Sequence, residues 1–259
     1  MNFPNQIRIA MWSGPRNIST AMMRSFENRE DTYVIDEPFY AYYLSETGFD
    51  HPGREDVLKS QSTKWQDVVD LIIGEVPEEK LIWYQKHMVH HILDNLDIGW
   101  VKYFSNCFLI RHPKDVIISY AKQSQIKGVN DLGYHQQVEL FKKIKKITGK
   151  HPFVFDAKDI LTDPEQYLRI MCEYFKISFS KNMLVWPKGE RVTDGIWSPH
   201  WYKNVIKSNS FKPYRNSLEC IPSQYKDLLD ECIPYYCLLY TSDAADDSLR
   251  VDLGGRRII

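Results

Sequence analysis

The sequence predicts an α/β protein: a three-layer sandwich with a central parallel sheet covered by helices on both faces. Two observations carry that reading. Short apolar runs alternate with amphipathic stretches along most of the chain, and strand–helix alternation of this kind builds parallel sheets. The composition is also that of an ordinary globular domain, with 43% hydrophobic, 26% charged and 14% aromatic residues among 259, which excludes a disordered or fibrous chain.

The elements follow in order. Residues 7–12, 32–35, 81–85, 107–110 and 153–155 are apolar runs of strand length. Segment 17–28 repeats Ile18, Ala21, Met22, Ser25 and Phe26 at helical spacing, and 65–73 repeats Trp65, Val68, Val69 and Ile72. Segment 113–124 carries Val116, Ile117 and Tyr120. Segment 132–147 is a long amphipathic helix with Val138, Leu140, Phe141, Ile144 and Ile147. Helix 164–174 follows an Asp163 cap with Pro164 in its first turn. Crossovers in such folds are right-handed, and ligands sit beyond the carboxyl ends of the strands. That rule selects the residues to weigh.

The first strand ends in Gly14, Pro15, Arg16, Asn17 and Ile18, followed by Ser19 and Thr20 at a helix start. Free N–H groups and the positive dipole end there favour a phosphate or sulfate, and Arg16 adds a charged fork. The loop lacks the second glycine and the lysine of a Walker loop. The second strand ends in Asp36 and Glu37, a natural place for a general base. After the third come Lys86, which can neutralise a bridging oxygen, and His87, which can take a proton. His87, His90 and His91 stand at i, i+3, i+4, but no HExxH pattern accompanies them, and no metal is expected. The fourth strand leads to Arg111, with Ser119 eight residues on. A late loop with Lys188, Gly189 and Arg191 is a candidate lid.

Together these segments resemble, over most of residues 5–212, the sulfotransferases that use 3′-phosphoadenosine 5′-phosphosulfate (PAPS), nearest the bacterial-type branch with an SGPRNxST loop. The resemblance implies a P-loop NTPase-like (sulfotransferase) fold. It implies that the first loop, Gly14 to Thr20, binds the 5′-phosphosulfate, with Arg16 as the cation that stabilises the bridging oxygen. The family's Arg-x-Pro-x-Asp pattern and its Ser fall on Arg111, Pro113, Asp115 and Ser119, and imply a 3′-phosphate site. Lys188 and Gly189 resemble its late Lys-Gly loop. The family's loop glycine is Ile18 here. Some branches use a histidine base, which would be His87; others use a glutamate, which would be Glu37. The implied activity is sulfuryl transfer from PAPS to a hydroxyl or amine of a small-molecule acceptor. A P-loop nucleotide or small-molecule kinase and a catalytically inactive nucleotide-binding homologue are the alternatives.

Other expectations concern setting and extent. With 33 Lys+Arg against 34 Asp+Glu the formal net charge is −1, which speaks against broad nucleic-acid binding. No apolar run approaches the roughly 20 residues that span a bilayer, and residues 1–9 lack a signal-peptide pattern. Cys107, Cys172, Cys220, Cys232 and Cys237 show no CxxC spacing, which favours free thiols. A cytoplasmic enzyme is expected; nothing in the sequence sets its oligomeric state. Residues 237–259 resemble in-frame translation of sequencing-adapter oligonucleotides. They are expected to be a non-native, mobile tail behind a single domain of 1–236, standing in place of the gene's own C-terminus.

Overall fold

The computed structural model describes residues 6–215 and 219–244. Five parallel strands, β1 (Ile7–Ser13), β2 (Thr32–Asp36), β3 (Ile82–Met88), β4 (Ser105–Ile110) and β5 (Phe153–Asp156), form one sheet in the order β2-β3-β1-β4-β5. The helices are α1 (Ser19–Glu27), α2 (Tyr40–Thr47), α3 (Arg54–Ser60), α4 (Trp65–Ile73), α5 (Pro113–Ala121), α6 (Tyr134–Thr148), α7 (Ala157–Thr162), α8 (Pro164–Phe175), α9 (Ser198–Trp201), α10 (Lys203–Ile206) and α11 (Lys226–Ala244).

Alternation along the strands sorts side chains into two cores. Ile9 and Met11 of β1 face Met22, Met23 and Phe26 of α1 and the α8 side chains Leu168, Met171 and Phe175. Ala10 and Trp12 face Val68 and Ile72 of α4 and Val138, Phe141 and Ile144 of α6. The strands are largely apolar because both faces are covered, with the polar residues Asp36, Lys86 and Asp156 toward their carboxyl ends. Burying each large aliphatic or aromatic side chain contributes about 1.5–3 kcal/mol.

The expected strands and amphipathic helices are present, with shifted ends. Residues 17 and 18 belong to the loop before α1, and a 3-10 turn (Val129–Leu132) precedes α6. The C-terminal expectation changes in part. Residues 237–244 continue α11 rather than forming a mobile tail, and Leu239 is fully buried among the side chains of the α4–α6 core. Burial of that leucine anchors the turn. Residues 245–259 lie outside the described residues. The five cysteines are free thiols. Among the described residues, no helix is long and apolar enough to cross a membrane.

Candidate functional site

The register fixes a common rim. Ser13 of β1 pairs with Met88 of β3 and Leu109 of β4, and Asp36 of β2 pairs with Lys86 of β3. The loops after β1, β2 and β4 therefore open on one edge, and the site divides there into two corners.

At the first corner the chain leaves β1 through Gly14. A side chain there would stand 3.0 Å from the Leu132 carbonyl oxygen, so the close approach of that turn favours glycine. Asn17 is buried and donates to the Leu109 carbonyl at 2.9 Å; Gln137 donates to the same oxygen at 3.0 Å. Ile18 takes φ 57, ψ 13 as the residue before α1. The backbone thus keeps the left-handed course a glycine would take, with a β-branched residue in it, and Arg16 also has φ 62. Such positions cost about 1–3 kcal/mol each and persist where the surroundings over-determine them. Ile18 offers no capping side-chain bond, so it leaves the first N–H groups of α1 open, ahead of Ser19 and Thr20.

Two arginines meet over this loop. Arg16 Nε donates to Ser119 Oγ at 3.0 Å, and Arg111 Nη1 donates to the Arg16 carbonyl at 2.9 Å. Arg111 Nε lies 3.8 Å from Asp115, and the Arg111 carbonyl accepts from Tyr134 at 2.7 Å. Burial first, then the neighbouring Arg111, lowers the Arg16 pKa. Pro15 lies half-buried in the turn.

The second corner is a closed ion-pair network. Lys86 Nζ donates to Asp36 Oδ1 at 2.9 Å, Glu37 Oε1 at 2.6 Å and the Tyr202 hydroxyl at 2.6 Å. All three of its donors are taken. The Tyr202 hydroxyl donates to Asp36 Oδ2 at 2.6 Å and accepts from Trp197 Nε1 at 3.1 Å; the Gly195 N–H also donates to Asp36 Oδ2, at 3.1 Å. Lys86 is 1% exposed and Glu37 9%. Burial raises the Glu37 pKa against the lowering effect of Lys86, while Lys86 itself is held well above its usual value by the two carboxylates. One cation is shared between two acids, and Glu37, with φ 40, carries the less fully bonded carboxylate.

The two base candidates fall in different places. His87 lies on the opposite sheet face, 1% exposed, stacked on Trp12 at 4.5 Å and near Phe39 and Trp100. Its ring meets Gln85 at 3.2 Å, and burial pushes its pKa down to about 3. Glu37 instead borders aromatic side chains. Tyr40 and Tyr43 flank His91, and Tyr40 meets Trp197 at 5.0 Å.

The late loop is docked. Arg191 pairs with Glu27 at 3.2 Å, Asp194 with the buried Arg24 at 2.6 Å, and Gly189 donates to the Ile206 carbonyl at 2.9 Å with φ 117. Lys188 is exposed. Tyr202, Gln137 and Leu132 are the site-building residues that no local motif marks. His90 bonds to the Asn130 carbonyl at 2.8 Å, and among the described residues no group of three or more His, Cys, Asp or Glu is placed to hold a metal ion.

A five-stranded parallel sheet in this order, with a tight loop leading from β1 into α1, defines an α/β protein of P-loop-like fold. Solved structures share the architecture. The sulfotransferase from Alicyclobacillus acidocaldarius superposes with a TM-score of 0.52 at 13% identity, covering 94% of this chain and 97% of that one. The sulfotransferase domain of the Synechococcus olefin synthase gives 0.50 at 15% identity, covering 89% and 96%. At such identity the likeness is one of fold. The sulfotransferase-domain family model matches residues 7–242, and the chain belongs to that family. It is also 33% and 35% identical, over 232 residues, to the branched-chain-amino-acid aminotransferase-like proteins 2 and 1 of Arabidopsis thaliana. The match takes in 89% of this chain but 41% of each relative, so the chain spans about two-fifths of their length.

Proposed function

We propose that the chain transfers a sulfuryl group from PAPS to a hydroxyl or amine of a small-molecule acceptor. One observation carries this reading: Arg16, Arg111 and Ser119, drawn from three elements, are tied together at an open helix start, the Arg16 guanidinium to the Ser119 hydroxyl and the Arg111 guanidinium to the Arg16 carbonyl. Like charges held together over unbonded N–H groups call for an anion with more than one charged group. The donor, when bound, supplies the sulfuryl group and leaves as adenosine 3′,5′-bisphosphate.

In this reading Gly14 to Thr20 cradle the phosphosulfate, and Arg16 stabilises charge on the departing oxygen. Arg111 and Ser119 hold the 3′-phosphate, with Lys188, Gly189 and Arg191 bordering the late loop. Glu37 takes the acceptor's proton. Its position on the rim, facing His91, supports it over His87, which is buried in the core on the other sheet face. Lys86 has no donor left for the leaving oxygen and instead fixes Glu37 Oε1. Phosphoryl-type transfer of this kind depends on positioning and charge stabilisation.

Calorimetry with adenosine 3′,5′-bisphosphate and with ATP-Mg²⁺ tests the donor. Selective binding of the bisphosphate is expected; selective binding of ATP-Mg²⁺ overturns the reading in favour of a kinase. In a sulfate-transfer assay, Arg16→Ala should lose about 2–4 kcal/mol of transition-state stabilisation, the scale of one preorganised donor. Turnover within a few-fold of wild type would remove Arg16 from its role.

A further inference from the structure

Glu37 has a second oxygen. While Oε1 is held by Lys86, Oε2 faces His91 Nε2 at 3.9 Å. That is too long for a direct hydrogen bond. A single atom between them can nevertheless stand at roughly 2.8 Å from both, a normal hydrogen-bond distance.

The His91 ring has little freedom. Tyr40 stacks on it at 4.7 Å, with the ring planes 7° apart, and Tyr43 lies at 4.9 Å. The residue is 5% exposed, and its Nδ1 is buried with no hydrogen-bond partner. A neutral imidazole carries one N–H. On Nδ1 that donor would be buried unpaired, losing its bond to water with nothing in return; on Nε2 it points toward the Glu37 carboxylate. The geometry therefore puts the proton on Nε2. Burial, with His90, His51, Lys86 and His87 nearby, holds the ring neutral against the pull of Glu37.

We propose that His91 is a specificity-determining residue of the acceptor site, donating its Nε2–H to the attacking atom while Glu37 Oε2 receives that atom's proton, so that the site selects an oxygen nucleophile over an amine. This rests on the sulfuryl-transfer reading and narrows its acceptor class. A hydroxyl oxygen has two lone pairs: one accepts from His91 and the other attacks sulfur. A neutral amine nitrogen has one lone pair, and a bond from His91 occupies it. In the step, the acceptor O–H bond breaks with its proton passing to Glu37, the new O–S bond forms, and the bond from sulfur to the donor's phosphate oxygen breaks with its electron pair leaving on the bisphosphate.

Two measurements test this. Nitrogen NMR on the full chain, with His91→Phe for assignment, should show a neutral, Nε2-protonated His91 at neutral pH; an Nδ1-protonated ring or an imidazolium overturns the proposal. With PAPS, a naphthol and its matching naphthylamine are then compared as probes. The O-sulfate should predominate. His91→Phe should cut its formation by about tenfold or more, the scale of one lost hydrogen bond to the reacting atom, and erase the preference. His91→Gln, which restores an N–H, should recover part of it. Preferential N-sulfation by the wild type, or a preference unchanged in His91→Phe, overturns the proposal. Where neither probe is turned over, the tautomer decides. Failure of the transfer reading itself appears separately, as absence of bisphosphate binding, and leaves the tautomer measurement intact.

Discussion

The two corners of the site lie on one sheet rim but treat their charges in opposite ways. At the β1–α1 corner, Arg111 bonds to the Arg16 carbonyl and keeps only a long contact, 3.8 Å, to Asp115, over a backbone with two left-handed non-glycine residues. At the β2–β3 corner, Lys86, Asp36, Glu37 and Tyr202 satisfy one another almost completely. Hydrogen-bonding capacity remains at the arginines and at Glu37 Oε2. The lesson is that perturbed charge alone does not mark chemistry. Lys86 is held well above its usual pKa, against its burial, by Asp36 and Glu37, yet its bonds are all internal, and its part is to hold the carboxylates.

The largest effect expected from that contrast is on stability. Lys86→Met leaves Asp36 and Glu37 buried without their cation and should cost about 3–5 kcal/mol, measured by urea denaturation. A loss below 1 kcal/mol would mean the closed corner is not electrostatically closed. Glu37→Gln should lower turnover by about 10²–10⁴-fold, the range for a general base, with the fold retained. The pH dependence follows from the raised Glu37 pKa. A raised acid is protonated in the folded chain while still ionised in the unfolded one, so its contribution to stability grows as pH falls through that window. Activity, which needs the anion, declines over the same window. A pH–rate profile beside denaturation midpoints of wild type and Glu37→Gln reads both signs. At the open corner, Arg111→Ala should weaken adenosine 3′,5′-bisphosphate binding by about 1.5–3 kcal/mol, the scale of a charge-assisted bond, with little change in urea midpoint. Equal affinity would separate Arg111 from the anion site. The smallest effect is Ile18→Gly. Release of strain is offset by lost packing against the α1–α8 core and by a freer unfolded chain, so the melting temperature should move by only a few degrees.

How much of this was legible depends on how local the signal is. The strands stand out because each is a short apolar run buried on both faces. Arg111 and Ser119 were legible as a pair because both sit at a fixed offset in one strand–helix passage, and the loop from Gly14 to Thr20 was legible for the same reason. Helix α2 was not. Tyr40, Ala41, Tyr42, Tyr43 and Leu44 are all buried, so no polar face betrays the period. Helix α11 was obscured by Pro234 within it and by a C-terminal half that reads as foreign, although Leu239 docks. The place of His87 was missed because β3 runs on to Met88, three residues past the apolar run, so His87 lies within the strand and its side chain turns to the face opposite Lys86. No pattern foretells that Tyr202 closes on Asp36, since the two lie 166 residues apart.

That last separation has a consequence for how the molecule acquires competence. The cradle after β1 is assembled from segments that end with α6. The carboxylate pocket is incomplete until Gly195, Trp197 and Tyr202 have folded back over β2. During synthesis the arginine corner can therefore take shape well before the carboxylate corner. A chain halted ahead of α9 would carry an exposed, mismatched pair of acids around a lone ammonium, and the closing contact, being among the most distant in sequence, is of the kind whose loop-closure entropy slows the final stage of folding.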